Sequence, residues 1–168
     1  MTLAISQAQI QIIVDRAENI YPEECCGILL GTMLQGSGFC EGKRFANANA
    51  GSLKTVVEVI PTVNVWENPE LADVLADPTE IFRTKTSRYT IDPQAIFQAT
   101  KRGRDLQLEI VGFFHSHPDY PAVPSLCDRD LAWDVYSYPI VSVMQGKVND
   151  FKSWVLDELG IFQQEEIQ

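Results

Sequence analysis

The chain contains only two histidines, and both stand in one tripeptide, His115-Ser116-His117, within LQLEIVGFFHSHP. In an extended segment, side chains two apart project to the same face, so His115 and His117 point together while Ser116 points away. A lone histidine is usually a satisfied core or surface residue, and a bare H-x-H is a weak metal signal. Asp128, eleven residues after His117, strengthens it. Zinc accepts imidazole nitrogen and carboxylate oxygen at about 2.0–2.2 Å, and a catalytic site keeps three protein ligands with one position for water. His115, His117 and Asp128 make such a set, and its chemistry would be metal-assisted hydrolysis. A structural role competes for Asp128. Ser125-Leu126-Cys127-Asp128 has the form of a capping box, and an aspartate turned to a metal is not expected to reach fully back to the cap amide.

Around this segment the hydrophobic pattern switches between helix and strand periods. Ser6 and Gln9 form a capping box ahead of Ile10, Ile13, Ala17 and Ile20, so residues 6–20 read as an amphipathic helix that Pro22 stops. CGILLGTM and FCEGKRF read as two strands around a QGSG turn, and LKTVVEVI as a third. From Thr62 to Ser87 the pattern lapses, with Pro61, Pro69 and Pro78 and one short helical stretch around ELADVLA. A connection of that length predicts a functional flap, a long insertion at about 62–87. Asp92 caps a helix beginning at Pro93 and ending near Lys101, Arg102 and Gly103, where the cations would offset the helix dipole.

After the histidine strand a helix is expected over about 125–136. PIVSVMQ and NDFKSWVLDE then pair as a hairpin around Gly146–Lys147, and the Gln/Glu-rich tail should fray. Helices and strands interleave without a strict repeating unit. That predicts an α+β chain, or a three-layer α/β/α arrangement around a mixed sheet.

Composition limits what these motifs can mean. With 168 residues and 45% hydrophobic content, residues 1–168 suit one domain. A net charge of −10, from 13 Lys+Arg against 23 Asp+Glu, argues against nucleic acid as a partner, because phosphate binding needs a positive surface. No run reaches the roughly 18 apolar residues of a membrane span, and MTLAISQAQIQ lacks the pattern of a signal peptide, so a cytoplasmic protein is expected. The four cysteines, Cys25, Cys26, Cys40 and Cys127, contain no C-x-x-C pair, and most of them read as buried thiols in a reducing compartment. Cys25 and Cys26 are adjacent, a spacing that rarely forms a disulfide, and Cys127 reads as an inert helix residue.

His-Ser-His, seven intervening residues, then Ser125-x-x-Asp128 resembles the H-x-H-x(7)-S-x-x-D signature of the JAMM, or MPN-plus, metalloprotease family at every defining position. Far upstream, YPEECCGILLG is similar to that family's Pro-x-Glu segment. Tyr89–Pro93, GFFHSHPD and YPIVSV also look like its small prokaryotic members, so the resemblance runs from about Ile10 to Asp157. It implies a cytidine-deaminase-like MPN fold, with a mixed, mostly antiparallel central sheet flanked by helices. It also implies one Zn2+ per chain on His115, His117 and Asp128, with Glu24 as general base. Ser125 would donate to the oxyanion of the tetrahedral intermediate.

The implied substrate is a ubiquitin-like or sulfur-carrier protein, cut after its C-terminal diglycine tail. The group joined to that tail, a conjugated protein or a small adduct such as cysteine, is left open, as is a homodimer. About a dozen residues separate Ser125 from the final hairpin, too few for the later insertion of linkage-selective deubiquitinases. A non-catalytic MPN-fold scaffold or binding module for ubiquitin-like proteins is the alternative, and the intact His115, His117, Ser125, Asp128 and Glu24 argue against it. A zinc nucleoside deaminase would need H-x-E or C-x-E with P-C-x-x-C, and the chain has neither.

Overall fold

A computed structural model describes residues 1–34, 52–67 and 84–168. Seven strands are present among them: β1 (Thr2–Ala4), β2 (Cys26–Leu34), β3 (Leu53–Thr62), β4 (Glu109–Pro118), β5 (Tyr138–Met144), β6 (Lys147–Leu156) and β7 (Phe162–Ile167). Three helices accompany them: α1 (Gln7–Ile20), α2 (Pro93–Leu106) and α3 (Leu126–Leu131). The strand order is β1-β3-β2-β4-β5-β6-β7, closed by a parallel β1–β7 pairing. The β2–β3, β2–β4, β5–β6 and β6–β7 pairs are antiparallel, and β1–β3, β1–β7 and β4–β5 are parallel. The sheet is mixed, with helices on it, as expected.

Alternation along β2 explains the layers. Leu29 joins Ile13 and Ala17 of α1 in one apolar cluster, whereas Ile28 and Leu30 join Ala99 of α2 in another. Successive strand residues face opposite sides, so a strand buried on both faces needs a helix on each. α1 begins at the expected capping box, with the Gln9 amide donating to Ser6 Oγ. α2 begins at Asp92, whose Oδ1 accepts from the Gln94 amide at 2.8 Å.

Several expectations need correction. α2 does not end at Gly103 but continues to Leu106 and closes on Gln107 at φ 58°. Gly103 is a close-packing residue instead, since a Cβ there would lie 2.8 Å from Leu108 O. Arg102 is not a dipole partner, for its Nε pairs with Glu58 Oε2 at 2.7 Å. The helix expected over 125–136 stops at Leu131. Its continuation is diverted by the Tyr138 hydroxyl, which accepts from the Trp133 amide at 2.7 Å and donates to the Trp133 carbonyl at 3.2 Å.

The tail does not fray either. β7 pairs with β6 and β1, and its Glu165 is buried, accepting from Ser137 Oγ at 3.0 Å and Ser153 Oγ at 2.7 Å. Lys54 Nζ donates to the same Ser137 hydroxyl at 3.1 Å. β1, at 3 residues, is too short to carry a readable period.

The hairpin forms, but its turn lies at Gln145 and Gly146, both at positive φ, one residue earlier than expected, with Lys147 already in β6. The QGSG turn, the FCEGKRF strand, Cys40, the ELADVLA helix and the central part of the 62–87 insertion lie outside the described residues. Among the described residues no helix is long and apolar enough to cross a membrane.

Candidate functional site

The register of the sheet assembles the site. Cys26, the first residue of β2, pairs with His115 near the end of β4, and β5 runs parallel on the other side, with His115 opposite Ile140 and His117 opposite Ser142. Glu24, two residues before Cys26, is thereby brought to the end of β4 from a remote part of the chain. Ser116 faces away, as the strand period requires, and its Oγ accepts from the Cys25 amide at 2.8 Å.

His115, His117 and Asp128 converge, with their ligand atoms within 4.8 Å of one another. His115 Nε2 lies 3.0 Å from His117 Nε2 and 3.2 Å from Asp128 Oδ1, and His117 Nε2 lies 3.6 Å from Asp128 Oδ2. Ligands about 2.0–2.1 Å from a tetrahedral centre lie about 3.3 Å apart, so these spacings are those of three corners around one cation. A proton on His115 Nε2 can point along only one of its two short lines, whereas a cation can take all three lone pairs. The donor set therefore fits zinc.

Each ligand is oriented differently. His117 Nδ1 donates to Pro121 O at 2.9 Å, which leaves the Nε2 lone pair facing the cluster. His115 Nδ1 is buried and has no hydrogen-bond partner among the described residues. Its ring is held by stacking on Tyr89, with centroids 4.5 Å apart and planes at 22°. Asp128 is held by the start of α3, where its Oδ2 accepts the Ser125 amide at 2.6 Å. The capping box is complete, with the Asp128 amide donating to Ser125 Oγ at 3.2 Å. The expected conflict between cap and ligand is thus absent: Oδ2 takes the cap amide while Oδ1 faces His115.

The electrostatics arise from burial and pairing. Burial lowers the His115 pKa and Asp128 partly restores it. For His117, burial also acts downward, but hydrogen bonds to Asp128 and Pro121 outweigh it and the net shift is upward. For Asp128, burial acts upward, and the charge of His115 with hydrogen bonds from His115, His117 and Ser125 carries the pKa well below the carboxylate range.

Glu24 is buried at 6% exposure, and burial pushes its pKa to about 8, with the charges of His117, Asp128 and Arg88 also acting on it. Cys25 and Cys26 are buried, free thiols pushed up to about 12 and about 11 by burial, which fits packing rather than reactivity. Cys127 is half-buried.

Two residues near the site have no role legible in the sequence. Tyr89 stands there only as part of a similar segment, and Asn64 falls in the stretch without periodicity. Asn64 is buried and donates to Glu24 O at 3.1 Å and Arg88 O at 2.9 Å. Nothing in local pattern marks an asparagine whose partners are 24 and 40 residues away.

Known proteins are similar to this chain. Over 125 residues the chain is 30% identical to a desampylase of Haloferax volcanii, an alignment covering 72% of this chain and 63% of that protein. Over 70 residues it is 30% identical to a desampylase of Pyrococcus furiosus, covering 42% of this chain and 48% of that one. The chain thus matches between about half and two thirds of the length of these relatives. The solution structure of a protein from Desulfitobacterium hafniense superposes with a TM-score of 0.66 at 26% identity, covering 100% of this chain and 92% of that one. The profile of prokaryotic homologues of the JAB domain matches residues 6–157, from the cap of α1 to the end of β6 and across every residue of the cluster. This chain, with its paired histidines closing β4 and its aspartate opening α3, belongs to the family of prokaryotic JAB-domain proteins.

Proposed function

We propose that the chain is a zinc-dependent hydrolase, a JAMM-type metallo-isopeptidase. In this reading it cleaves the bond after the C-terminal diglycine tail of a ubiquitin-like or sulfur-carrier protein, and residues 1–168 act as one catalytic domain. The observation that carries the reading is the convergence of His115 Nε2, His117 Nε2 and the Asp128 carboxylate. The desampylase relatives support a reaction on a conjugated modifier.

His115, His117 and Asp128 would hold the zinc. Bound there, the ion acts as a Lewis acid and makes water a competent nucleophile near neutral pH. Glu24 takes the proton of the attacking water and passes it to the leaving amine. A positioned carboxyl group can serve both halves of that transfer, which is often worth about 10²–10⁴ in rate. Ser125 is exposed and its Oγ already accepts the Asp128 amide, so its own proton is directed to the substrate oxyanion.

The test is mass spectrometry of the zinc-loaded chain incubated with ubiquitin-like and sulfur-carrier proteins extended beyond the diglycine by a protein or a short adduct. Cleavage after the second glycine is expected. If no extended substrate is cut while the metal is fully bound, the chain is a binding module and not a hydrolase.

A further inference from the structure

We propose that Asn64 is the positioning residue for Glu24, fastening both the base and the Tyr89 strap to the metal cluster. This rests on the reading of Glu24 as general base. Glu24 precedes β2, so no sheet ladder holds its backbone. Its amide donates to Lys85 O at 2.6 Å and its carbonyl accepts from Asn64 Nδ2 at 3.1 Å. Both contacts come from the chain beyond β3, not from the strand Glu24 leads into.

Asn64 also binds the residues on either side of Tyr89. Its Nδ2 donates to Arg88 O at 2.9 Å, and its Oδ1 accepts from the Thr90 amide at 3.1 Å and from the Trp66 amide at 3.1 Å. An antiparallel Asn64–Ile91 bridge and a Val65 amide to Thr90 carbonyl bond at 3.0 Å continue the junction. Tyr89, bracketed in this way, stacks on His115, whose Nδ1 has no hydrogen-bond partner among the described residues.

The side-chain chemistry selects asparagine. Two backbone carbonyls face one end of it and two backbone amides the other, so one end must donate twice and the other accept twice. A primary amide does this in one orientation only. An aspartate lacks the donors, and an alanine removes this partner from four backbone groups, the Glu24 carbonyl buried and the other three part-buried. A small displacement of a base from its proton is costly in rate, while substrate affinity need not change.

The experiment compares Asn64→Ala and Asn64→Asp with the parent, each zinc-loaded, reading zinc content, kcat and KM on a cleaved tail-extended substrate, and amide exchange by mass spectrometry. Both variants are expected to keep one zinc per chain and a KM within about twofold, with kcat at least about tenfold lower. Added to Glu24→Gln, neither should lower the residual rate further, because a residue that acts through Glu24 has nothing left to position. Exchange should rise at residues 24–26 and 86–91 and stay unchanged in α1 and the β5–β6 hairpin.

A loss confined to KM or zinc content, or an undiminished loss in the Glu24→Gln background, overturns the proposal. The exchange arm separates the two readings. If the parent cleaves no substrate, the hydrolase reading fails, yet unchanged exchange at 24–26 and 86–91 in Asn64→Ala overturns the fastening by itself. Asn64→Asp supplies the same comparison if the alanine variant does not fold.

Discussion

Ser125 and Asp128 hold each other across the first turn of α3: the Ser125 amide donates to Asp128 Oδ2 at 2.6 Å and the Asp128 amide donates to Ser125 Oγ at 3.2 Å. The second carboxylate oxygen stays turned to His115, 3.2 Å from its Nε2. A helix cap thus also fixes the direction of a candidate metal ligand.

Ser125→Ala separates the two halves of this pair. It removes the hydroxyl but keeps the backbone amide on Asp128, so zinc content should stay near one per chain. Turnover should fall about 10²–10³-fold with loss of an oxyanion donor, and stability by about 1 kcal/mol with loss of the cap. Zinc loss parallel to the loss of turnover would show that the hydroxyl, not the amide, holds Asp128.

Removing a ligand should release the metal. His115→Ala and Asp128→Ala are each expected to lower bound zinc, measured by atomic emission after dialysis, to a small fraction of the parent value. A full metal load in both variants sinks the ligand assignment.

Glu24→Gln should retain zinc while turnover falls about 10²–10⁴-fold. In the metal-free protein it should also change how stability depends on pH. The folded-state pKa of Glu24 is raised from an ordinary 4.5 to about 8, so between those values the folded state binds more protons than the unfolded one. The stability contribution is complete below about pH 4.5 and is lost as pH rises through 8. Denaturant midpoints of the metal-free parent should therefore decline more steeply from pH 5 to 8 than those of metal-free Glu24→Gln. Parallel profiles would contradict the buried, protonated Glu24.

Gly27 is where the segment that carries Glu24 meets the histidine strand. A Cβ there would collide with the Phe114 ring and lie 2.6 Å from Ile60 O. Gly27→Ala should cost about 1–3 kcal/mol, read as a lower Tm, and should weaken zinc binding because Phe114 adjoins His115. An unchanged Tm would mean that Phe114 has room to move.

Much of this is legible in one dimension because its causes are local. The strand period sets His115 and His117 on one face, and spacing sets Asp128 in the first turn of a helix. Capping chemistry starts α1 at Ser6 and α2 at Asp92. These depend on residues within a few positions of one another. Glu24 is reached only through resemblance, since a glutamate two residues after a proline has no chemistry of its own.

The tertiary structure decided what depends on distant partners. The β2–β4 register brings Glu24 to the cluster, and Asn64 ties Glu24 to residues 88–90 by bonds that no window along the chain contains. The same limit applies to β7, whose Glu165 is buried because Ser137 and Ser153 receive it. It applies also to α3, which stops at Leu131 because Tyr138 takes the Trp133 backbone. Periodicity and capping report where a chain can turn and which face it shows, but burial and hydrogen-bond satisfaction are set by whatever the fold brings opposite.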